Sequence, residues 1–83
     1  MINACVIGLS TIGLLHCRNL IKIKKTQLTH VFDYNSKLGN KISKKFKCKT
    51  SNNFENILED KSIKLFIIAS PTNTHEYYVK KLI

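Results

Sequence analysis

The chain has 83 residues and a formal net charge of +9, with 43% hydrophobic and 23% charged residues. A chain of this length forms one small domain or part of a larger one. No apolar stretch reaches the roughly 20 residues that a membrane-spanning helix needs, and the first apolar run starts too close to Met1 to leave room for a signal peptide. We therefore expect no membrane partner and a cytoplasmic location.

The basic charge does not by itself indicate a nucleic-acid partner. The lysines are scattered over the outer faces of the expected helices, together with many isoleucines and asparagines, which is typical of a biased genome composition. No aromatic residue alternates with them to stack on bases, except near the C-terminus. A basic module that binds nucleic acid remains the less favoured alternative.

Cysteine chemistry is not favoured either. Cys5, Cys17 and Cys48 have no CxxC spacing and no secretory context, so we expect neither a disulfide nor a zinc site. Cys5 falls in an expected strand and Cys17 on an expected helix, where a small buried apolar group is the plainer interpretation.

Short apolar runs alternate with helical patterns along the chain. Runs long enough for buried strands are Asn3–Ile7, Leu28–Phe32, Leu65–Ala69 and a very short candidate at Lys47–Thr50. The segments between and after them predict helices from Thr11 to about Lys24, from a cap at Ser36 to about Phe46, from Asn52 through Leu58, and from Asn73 onward.

This alternation predicts an α/β fold, a Rossmann-type parallel sheet with helices on both faces. Four strands correspond to the first half of such a sheet, with the order 3-2-1-4. No linker or shift of composition divides the chain, so residues 1–83 are expected to form one incomplete dinucleotide-binding domain without a substrate domain.

Ligands of open α/β sheets bind outside the carboxyl ends of the strands. Three segments of this chain meet there: Gly8–Gly13, Asp33–Asn35 and Ser70–His75. Their convergence on one edge is stronger evidence for a site than any one of them alone.

The first segment resembles a phosphate-binding glycine turn. Gly8 would make the tight turn, Gly13 would let the helix pack closely on the strand, and the backbone amides of Ser10, Thr11 and Ile12 would face a pyrophosphate. Ser10 replaces the middle glycine of the fingerprint. Its hydroxyl would donate to a phosphate, or its Cβ would hold the cofactor off; a turn that merely connects a strand to a helix is the alternative.

Asp33 ends the second apolar run, twenty residues after Gly13. A carboxylate there suits the hydroxyls of an adenosine ribose and repels a 2′-phosphate, which favours NAD over NADP. The alternative is a turn aspartate that precedes Tyr34-Asn35-Ser36.

With the third segment included, the chain resembles the N-terminal domain of the glucose–fructose oxidoreductase and inositol dehydrogenase (Gfo/Idh/MocA) family. The resemblance rests on Val6–His16, Val31–Asn35 and above all Ala69-Ser70-Pro71-Thr72-Asn73-Thr74-His75. It implies that Gly8 to Gly13 hold the pyrophosphate and Asp33 the adenosine ribose of NAD. It also implies that Ser70, Pro71, Thr72 and Asn73 line the nicotinamide side, with His75 either near the site or packed behind it.

The resemblance further implies an oxidoreductase that acts on a sugar, a polyol or a related compound. Members often have glycine at Ser10 and a basic residue at Thr11, and their Glu-Lys-Pro motif and catalytic lysine and histidine follow later strands that this sequence does not contain. The chain is thus expected to bind the cofactor without catalysing hydride transfer alone. A Rossmann remnant without catalysis is the alternative, and the apolar edge of Leu65–Ala69 predicts self-association.

Overall fold

The computed structural model describes residues 1–83, and it contains three strands and four helices. In chain order these are β1 (Ile2–Ile7), α1 (Thr11–Lys22), β2 (Thr26–Phe32), α2 (Ser36–Phe46), α3 (Phe54–Glu59), β3 (Leu65–Ile68) and α4 (Thr72–Leu82). None of the four helices combines the length and the apolar character that crossing a membrane requires.

The strands form one parallel sheet in the order β2-β1-β3. In its register, Ile7 of β1 lies beside Phe32 of β2 and Ile68 of β3. The carboxyl ends of all three strands therefore lie at one edge, and the three segments that follow them are brought together there. The expected α/β class and Rossmann-type sheet are confirmed.

The short strand expected at Lys47–Thr50 is wrong as a strand. Only Lys49 pairs with β2: its amide donates to Thr29 O (2.9 Å), and its carbonyl accepts from Val31 N (2.9 Å). Lys47 ends α2 in the left-handed conformation (φ 55°). Only Cys48 therefore separates the end of the helix from the residue that pairs with β2, Lys49. Because Lys49 lies on the outer side of β2, the expected order 3-2-1-4 is kept, with its outer strand reduced to a single residue.

Helix boundaries differ from the expected ones because other side chains satisfy the terminal backbone groups. The hydroxyl of Thr26 donates to the carbonyls of Leu20 (2.9 Å) and Ile23 (3.2 Å) and ends α1 early. Asn35 rather than Ser36 caps α2, and its Oδ1 accepts from the amides of Lys37 (3.1 Å) and Leu38 (3.3 Å).

The two later helices show the same kind of difference. Asn53 rather than Asn52 caps α3 and accepts from the amide of Glu55 (3.0 Å). Helix α4 begins at Thr72, before Asn73, because the carbonyl of Pro71 already accepts from the amide of Thr74 (2.8 Å). Proline suits a helix start because its fixed φ is close to helical and its missing N–H is not needed there.

Apolar side chains of the strands alternate between two cores. Ala4, Val6 and Val31 pack with residues of α1 and α2, whereas Cys5, Ile7 and Phe32 pack with residues of α3 and α4. This alternation follows from the two-residue repeat of a strand. It confirms that helices cover both faces of the sheet.

Cys5 and Cys17 are fully buried, and Cys48 is half-buried against the first core. Burial raises the pKa of the Cys17 and Cys48 thiols to about 11. These thiols therefore stay protonated near neutral pH and act as small apolar groups, as expected for Cys5 and Cys17.

A buried polar pair joins β2 to the connection between α3 and β3. His30 Nε2 lies 2.9 Å from Asp60 Oδ2, and His30 Nδ1 lies 2.8 Å from the hydroxyl of Thr29. Burial lowers the pKa of His30 against the opposing effect of Asp60, and hydrogen bonds from Ser62 lower the pKa of Asp60. A neutral ring that donates from Nε2 to Asp60 accepts at Nδ1 from the Thr29 hydroxyl when that hydroxyl turns away from the carbonyl of Ala4 (3.3 Å).

The contact between α1 and the turn before it leaves no room for a side chain at Gly13. A methyl group on Gly13 would lie 1.8 Å from the carbonyl oxygen of Gly8, so the backbone would have to move. We expect Gly13→Ala to lower the free energy of unfolding by about 3 kcal/mol, measured by urea denaturation followed by circular dichroism.

Gly39, in α2, is the matched control. A methyl group there would lie 3.4 Å from the hydroxyl of Thr50, an ordinary contact, and alanine favours a helix by about 1 kcal/mol over glycine. Gly39→Ala should leave the stability unchanged or raise it by up to about 1 kcal/mol. Equal losses from both variants would contradict the close contact at Gly13.

Candidate functional site

A cleft of about 1210 Å³ runs along the carboxyl ends of the three strands. Each of the three segments expected at this edge contributes to its lining, with Gly8 and Ser10 from the first, Asp33 from the second, and Ser70 and Pro71 from the third. The topology of the sheet thus brings together residues that are up to 70 positions apart in the sequence, from Gly8 to Tyr78.

Gly8 is required by its conformation and by the space around it. Its φ of 92° lies in the region that favours glycine, and its amide donates to the carbonyl of Phe32 (2.8 Å). A side chain on Gly8 would meet the backbone nitrogen of Ser70 at 2.5 Å. The turn after β1 therefore packs directly against the segment that follows β3.

The N-terminus of α1 presents unused hydrogen-bond donors. The first helical bond runs from the amide of Leu14 to the carbonyl of Ser10 (3.0 Å), so the amides before Leu14 have no partner within the helix. Ser10 stands at the cap position, is exposed, and makes no capping bond with its hydroxyl. Such a helix start favours an anion, because the free N–H groups and the helix dipole both carry partial positive charge.

The carboxylate of Asp33 holds the glycine turn to the end of β2. Its Oδ2 accepts from the amide of Leu9 (2.8 Å), and its Oδ1 accepts from the amide of Asn35 (2.8 Å). The second bond is the turn role that the sequence left as the alternative. The bond to Leu9 fixes the position of the carboxylate beside the start of α1, and each oxygen keeps a lone pair for a further donor.

Ser70 is held rigidly in the third segment. It is buried, its Oγ accepts from the hydroxyl of Thr74 (2.7 Å), and its carbonyl oxygen contacts Nε2 of His75. His75 is half-buried and does not line the cleft. His75 thus contacts the Ser70 backbone from outside the cleft wall, and its position near the nicotinamide stays a prediction.

Other expected site residues lie beside the cleft rather than in its wall. Thr11 and Ile12 are exposed on the first turn of α1, Gly13 is buried beneath the turn, and Thr72 and Asn73 are exposed on the first turn of α4. Their side chains do not line the cleft.

Sequence reasoning missed the lining residues that lie outside the three segments: Phe32, Ser36, Leu38, Asn52, Asn53, Phe54, Glu55, Tyr77 and Tyr78. Leu9, Tyr34, Asn35 and Thr74 also line the cleft; they fall within the three segments but were assigned no ligand contact. Tyr34 is 91% exposed directly after Asp33, and its position at a strand end was a usable signal. Asn52 and Asn53 gave no comparable signal, because the segment before them pairs with β2 only at Lys49 and does not form a strand.

No lysine or arginine lines the cleft, although the chain has a net charge of +9. The ionised groups in its wall are the carboxylates of Asp33 and Glu55. A phosphate bound here would therefore be held by backbone amides and hydroxyls, and a second, isolated phosphate near Asp33 would find no cation.

The family model described as the oxidoreductase family with an NAD-binding Rossmann fold matches residues 2–83. The chain belongs to the Gfo/Idh/MocA oxidoreductase family. It is therefore an NAD-binding Rossmann domain of that family. A comparison with curated proteins finds no match.

Solved structures share the fold of this family member over nearly its whole length. A protein described as a probable dehydrogenase from Thermotoga maritima is 27% identical, with a TM-score of 0.90 over 98% of this chain and 25% of that one. Myo-inositol dehydrogenase from Lactobacillus casei, in complex with NAD(H) and myo-inositol, is 21% identical, with a TM-score of 0.90 over 99% of this chain and 25% of that one.

A third structure is that of a candidate NADPH-dependent oxidoreductase from Desulfitobacterium hafniense. It is 18% identical, with a TM-score of 0.92 over 98% of this chain and 23% of that one. The chain spans about a quarter of the length of these three proteins.

Asp33→Asn tests the bond between the two sides of the turn. The amide has one acceptor oxygen, so it cannot accept from both Leu9 N and Asn35 N, and its NH2 group would face a donor. We expect a loss of about 2 kcal/mol in the free energy of unfolding at neutral pH, measured by urea denaturation.

Glu55→Gln removes one negative charge from the same cleft, where the Glu55 carboxylate accepts no hydrogen bond, and should change stability by less than about 0.5 kcal/mol. A loss as large in Glu55→Gln would show that the charge, not the Leu9 bond, matters.

Proposed function

We propose that this chain binds NAD with the pyrophosphate at the start of α1 and the adenosine ribose at Asp33. It would serve as the cofactor-binding part of a dehydrogenase whose substrate is a sugar, a polyol or a related compound. The proposal rests on one observation: the free amides at the start of α1 lie beside the carboxylate of Asp33, which the amide of Leu9 holds in place (2.8 Å). Membership in an NAD-binding family supports it.

The residues present fit two adjacent parts of this ligand, its pyrophosphate and its adenosine ribose. The amides before Leu14 and the unbonded hydroxyl of Ser10 supply donors for the pyrophosphate, and the remaining lone pairs of Asp33 accept from ribose hydroxyls. Ser10 has φ −75°, which any residue adopts. A glycine at that position is thus not needed for the backbone conformation.

The wall of the cleft favours NAD over NADP. The 2′-phosphate of NADP would lie at the adenosine ribose, where the carboxylate of Asp33 repels it and no lysine or arginine lines the wall. The complex with NADP should therefore be less stable than the complex with NAD, because like charges at close range raise the free energy of a complex.

NAD supplies a hydride acceptor, and this chain supplies its binding and orientation. The turn at Gly8 and the buried Ser70 form one rigid wall, because the two backbones are in direct contact. The proposal therefore concerns the binding and orientation of NAD by these residues. A remnant that binds no cofactor is the alternative, and a measured NAD affinity separates the two.

Isothermal titration calorimetry with NAD tests the proposal. Ser10→Ala should weaken binding about tenfold or more, because it removes a donor to a charged group, and it should leave stability unchanged since the hydroxyl caps nothing. Thr11→Ala, whose side chain lies outside the cleft, should bind as the wild type does. NADP should bind more weakly than NAD to all three proteins.

Two results would contradict the proposal. Absence of NAD binding by the folded wild-type chain would favour the remnant without a cofactor. Tighter binding by Ser10→Gly, with no change in Ser10→Ala, would show that the Cβ of Ser10 obstructs the phosphate and that its hydroxyl does not hold it.

Self-association through β3 stays a prediction. The strand pairs with β1 on one side and with no strand on the other, and its four apolar residues are only half-buried. An unpaired apolar edge of this kind can pair with a second copy of the chain, and sedimentation velocity over a range of concentrations would detect it.

A further inference from the structure

The lysines are concentrated at the edge of the sheet opposite the cleft. The carbonyl of Lys25 accepts from the amide of Ile2 (2.8 Å), and the amide of Lys64 donates to the carbonyl of Asn3 (2.9 Å). Both lysines therefore lie at the amino ends of the strands. Helices α1 and α2 run back from the cleft and end at the same edge.

Eight of the thirteen lysines belong to the segments at this edge, and all eight are exposed. They are Lys22, Lys24, Lys25, Lys44, Lys45, Lys47, Lys61 and Lys64. The acids in the same segments are Glu59 and Asp60, and Asp60 contacts the ring of His30 (2.9 Å), so cations outnumber carboxylates at this edge. We call this group of lysines, together with the side chains described next, the amino-end surface.

Large aliphatic side chains are exposed among these lysines. Met1 is 80% exposed, Ile2 46%, Ile21 56% and Ile23 49%. The exposed aromatic residues, Tyr34 and Tyr77, line the cleft at the other edge. The amino-end surface thus combines cations with aliphatic groups and lacks exposed rings on which bases stack.

A small concave site lies within the amino-end surface. It has a volume of about 420 Å³, and polar groups in its wall come from Asn3, Gln27, Thr29, Lys47, Lys49 and Ser62, with no carboxylate among the residues that line it. Lys47 stands there in the left-handed conformation (φ 55°) that usually selects glycine or asparagine.

We infer that the amino-end surface docks the chain onto an anionic lipid bilayer. Lysines near such a surface are attracted to phosphate headgroups, and aliphatic side chains gain free energy by entering the boundary between headgroups and acyl chains. A nucleic-acid backbone would use the lysines but offer no partner for the four aliphatic side chains. The expectation of no membrane partner rested on the absence of a spanning segment, and docking on the surface requires none.

Docking in this orientation leaves the proposed cofactor site accessible. The cleft lies at the carboxyl ends of the strands and the amino-end surface at their amino ends. The inference does not depend on NAD binding, because no residue of the amino-end surface lines the cleft.

Co-sedimentation with vesicles tests the inference. The probes are vesicles of phosphatidylcholine alone and vesicles in which about a third of the lipid is phosphatidylglycerol, at about 0.15 M salt, where exposed charges act over about 8 Å. The wild-type chain should bind the anionic vesicles only. The double variant Lys24→Gln, Lys25→Gln should lower the partition coefficient about 30-fold.

Matched control variants distinguish an effect of the amino-end surface on vesicle binding from effects of total charge and of general hydrophobicity. Lys37→Gln with Lys41→Gln removes the same charge from the first half of α2, nearer the cleft, and should leave binding nearly unchanged. Ile21→Ser should weaken binding, whereas Ile12→Ser, at the opposite end of α1 and equally exposed (55% against 56%), should not. Circular dichroism confirms that each variant folds.

Three results would overturn the inference. One is the absence of binding to anionic vesicles by the folded wild type. Another is an equal loss from the two lysine pairs, which would reduce the effect to net charge. The third is tighter binding of a nucleic-acid duplex that displaces the chain from vesicles, which would assign the surface to nucleic acid.

Discussion

The hydrogen bond from the amide of Leu9 to the carboxylate of Asp33 (2.8 Å) is the contact on which the site depends. It joins the turn after β1 to the end of β2, while the direct contact of Gly8 with the backbone of Ser70 joins that turn to the end of β3. Three separate chain segments thereby become one wall. A charge-assisted hydrogen bond is shorter and stronger than a neutral one, so a single carboxylate can hold the turn and still accept from a ligand.

Charged side chains are distributed unevenly between the two ends of the strands. The cleft edge has carboxylates and free helix amides but no lysine in its wall, whereas most lysines lie at the amino edge. Recognition of a phosphate in the cleft is thus left to fixed backbone dipoles, which favours a diphosphate at the start of α1 and disfavours a second phosphate beside Asp33. The high net charge, which the sequence analysis attributed to a biased composition, is concentrated away from the cleft.

The sequence alone predicted the parallel sheet, its strand order, the helices on both faces and the edge at which the cleft lies, because short apolar runs that alternate with helical patterns favour this topology. It did not predict that Lys47–Thr50 shrinks to one bridge, since that depends on how α2 ends at Lys47. Helix starts were displaced by one residue where Asn35 and Asn53 compete with neighbouring capping residues. The partner of Asp33 was also missed: a bond between residues 24 positions apart has no local signal. The contact of His75 with the Ser70 carbonyl was likewise not predicted, because nothing in the local sequence indicates it.

The central claim is that the amides at the start of α1 and the carboxylate of Asp33 form one preorganised dinucleotide site. The most direct measurement is a 15N–1H correlation spectrum of the 83-residue chain recorded during titration with NAD. The account predicts that the largest shifts occur at the amides of Leu9 to Gly13, Tyr34, Asn35 and Ser70, while the amides of Lys24, Lys25 and Lys64 do not move. Saturable shifts confined to the amino-end surface, or none at Leu9 to Gly13, would contradict it.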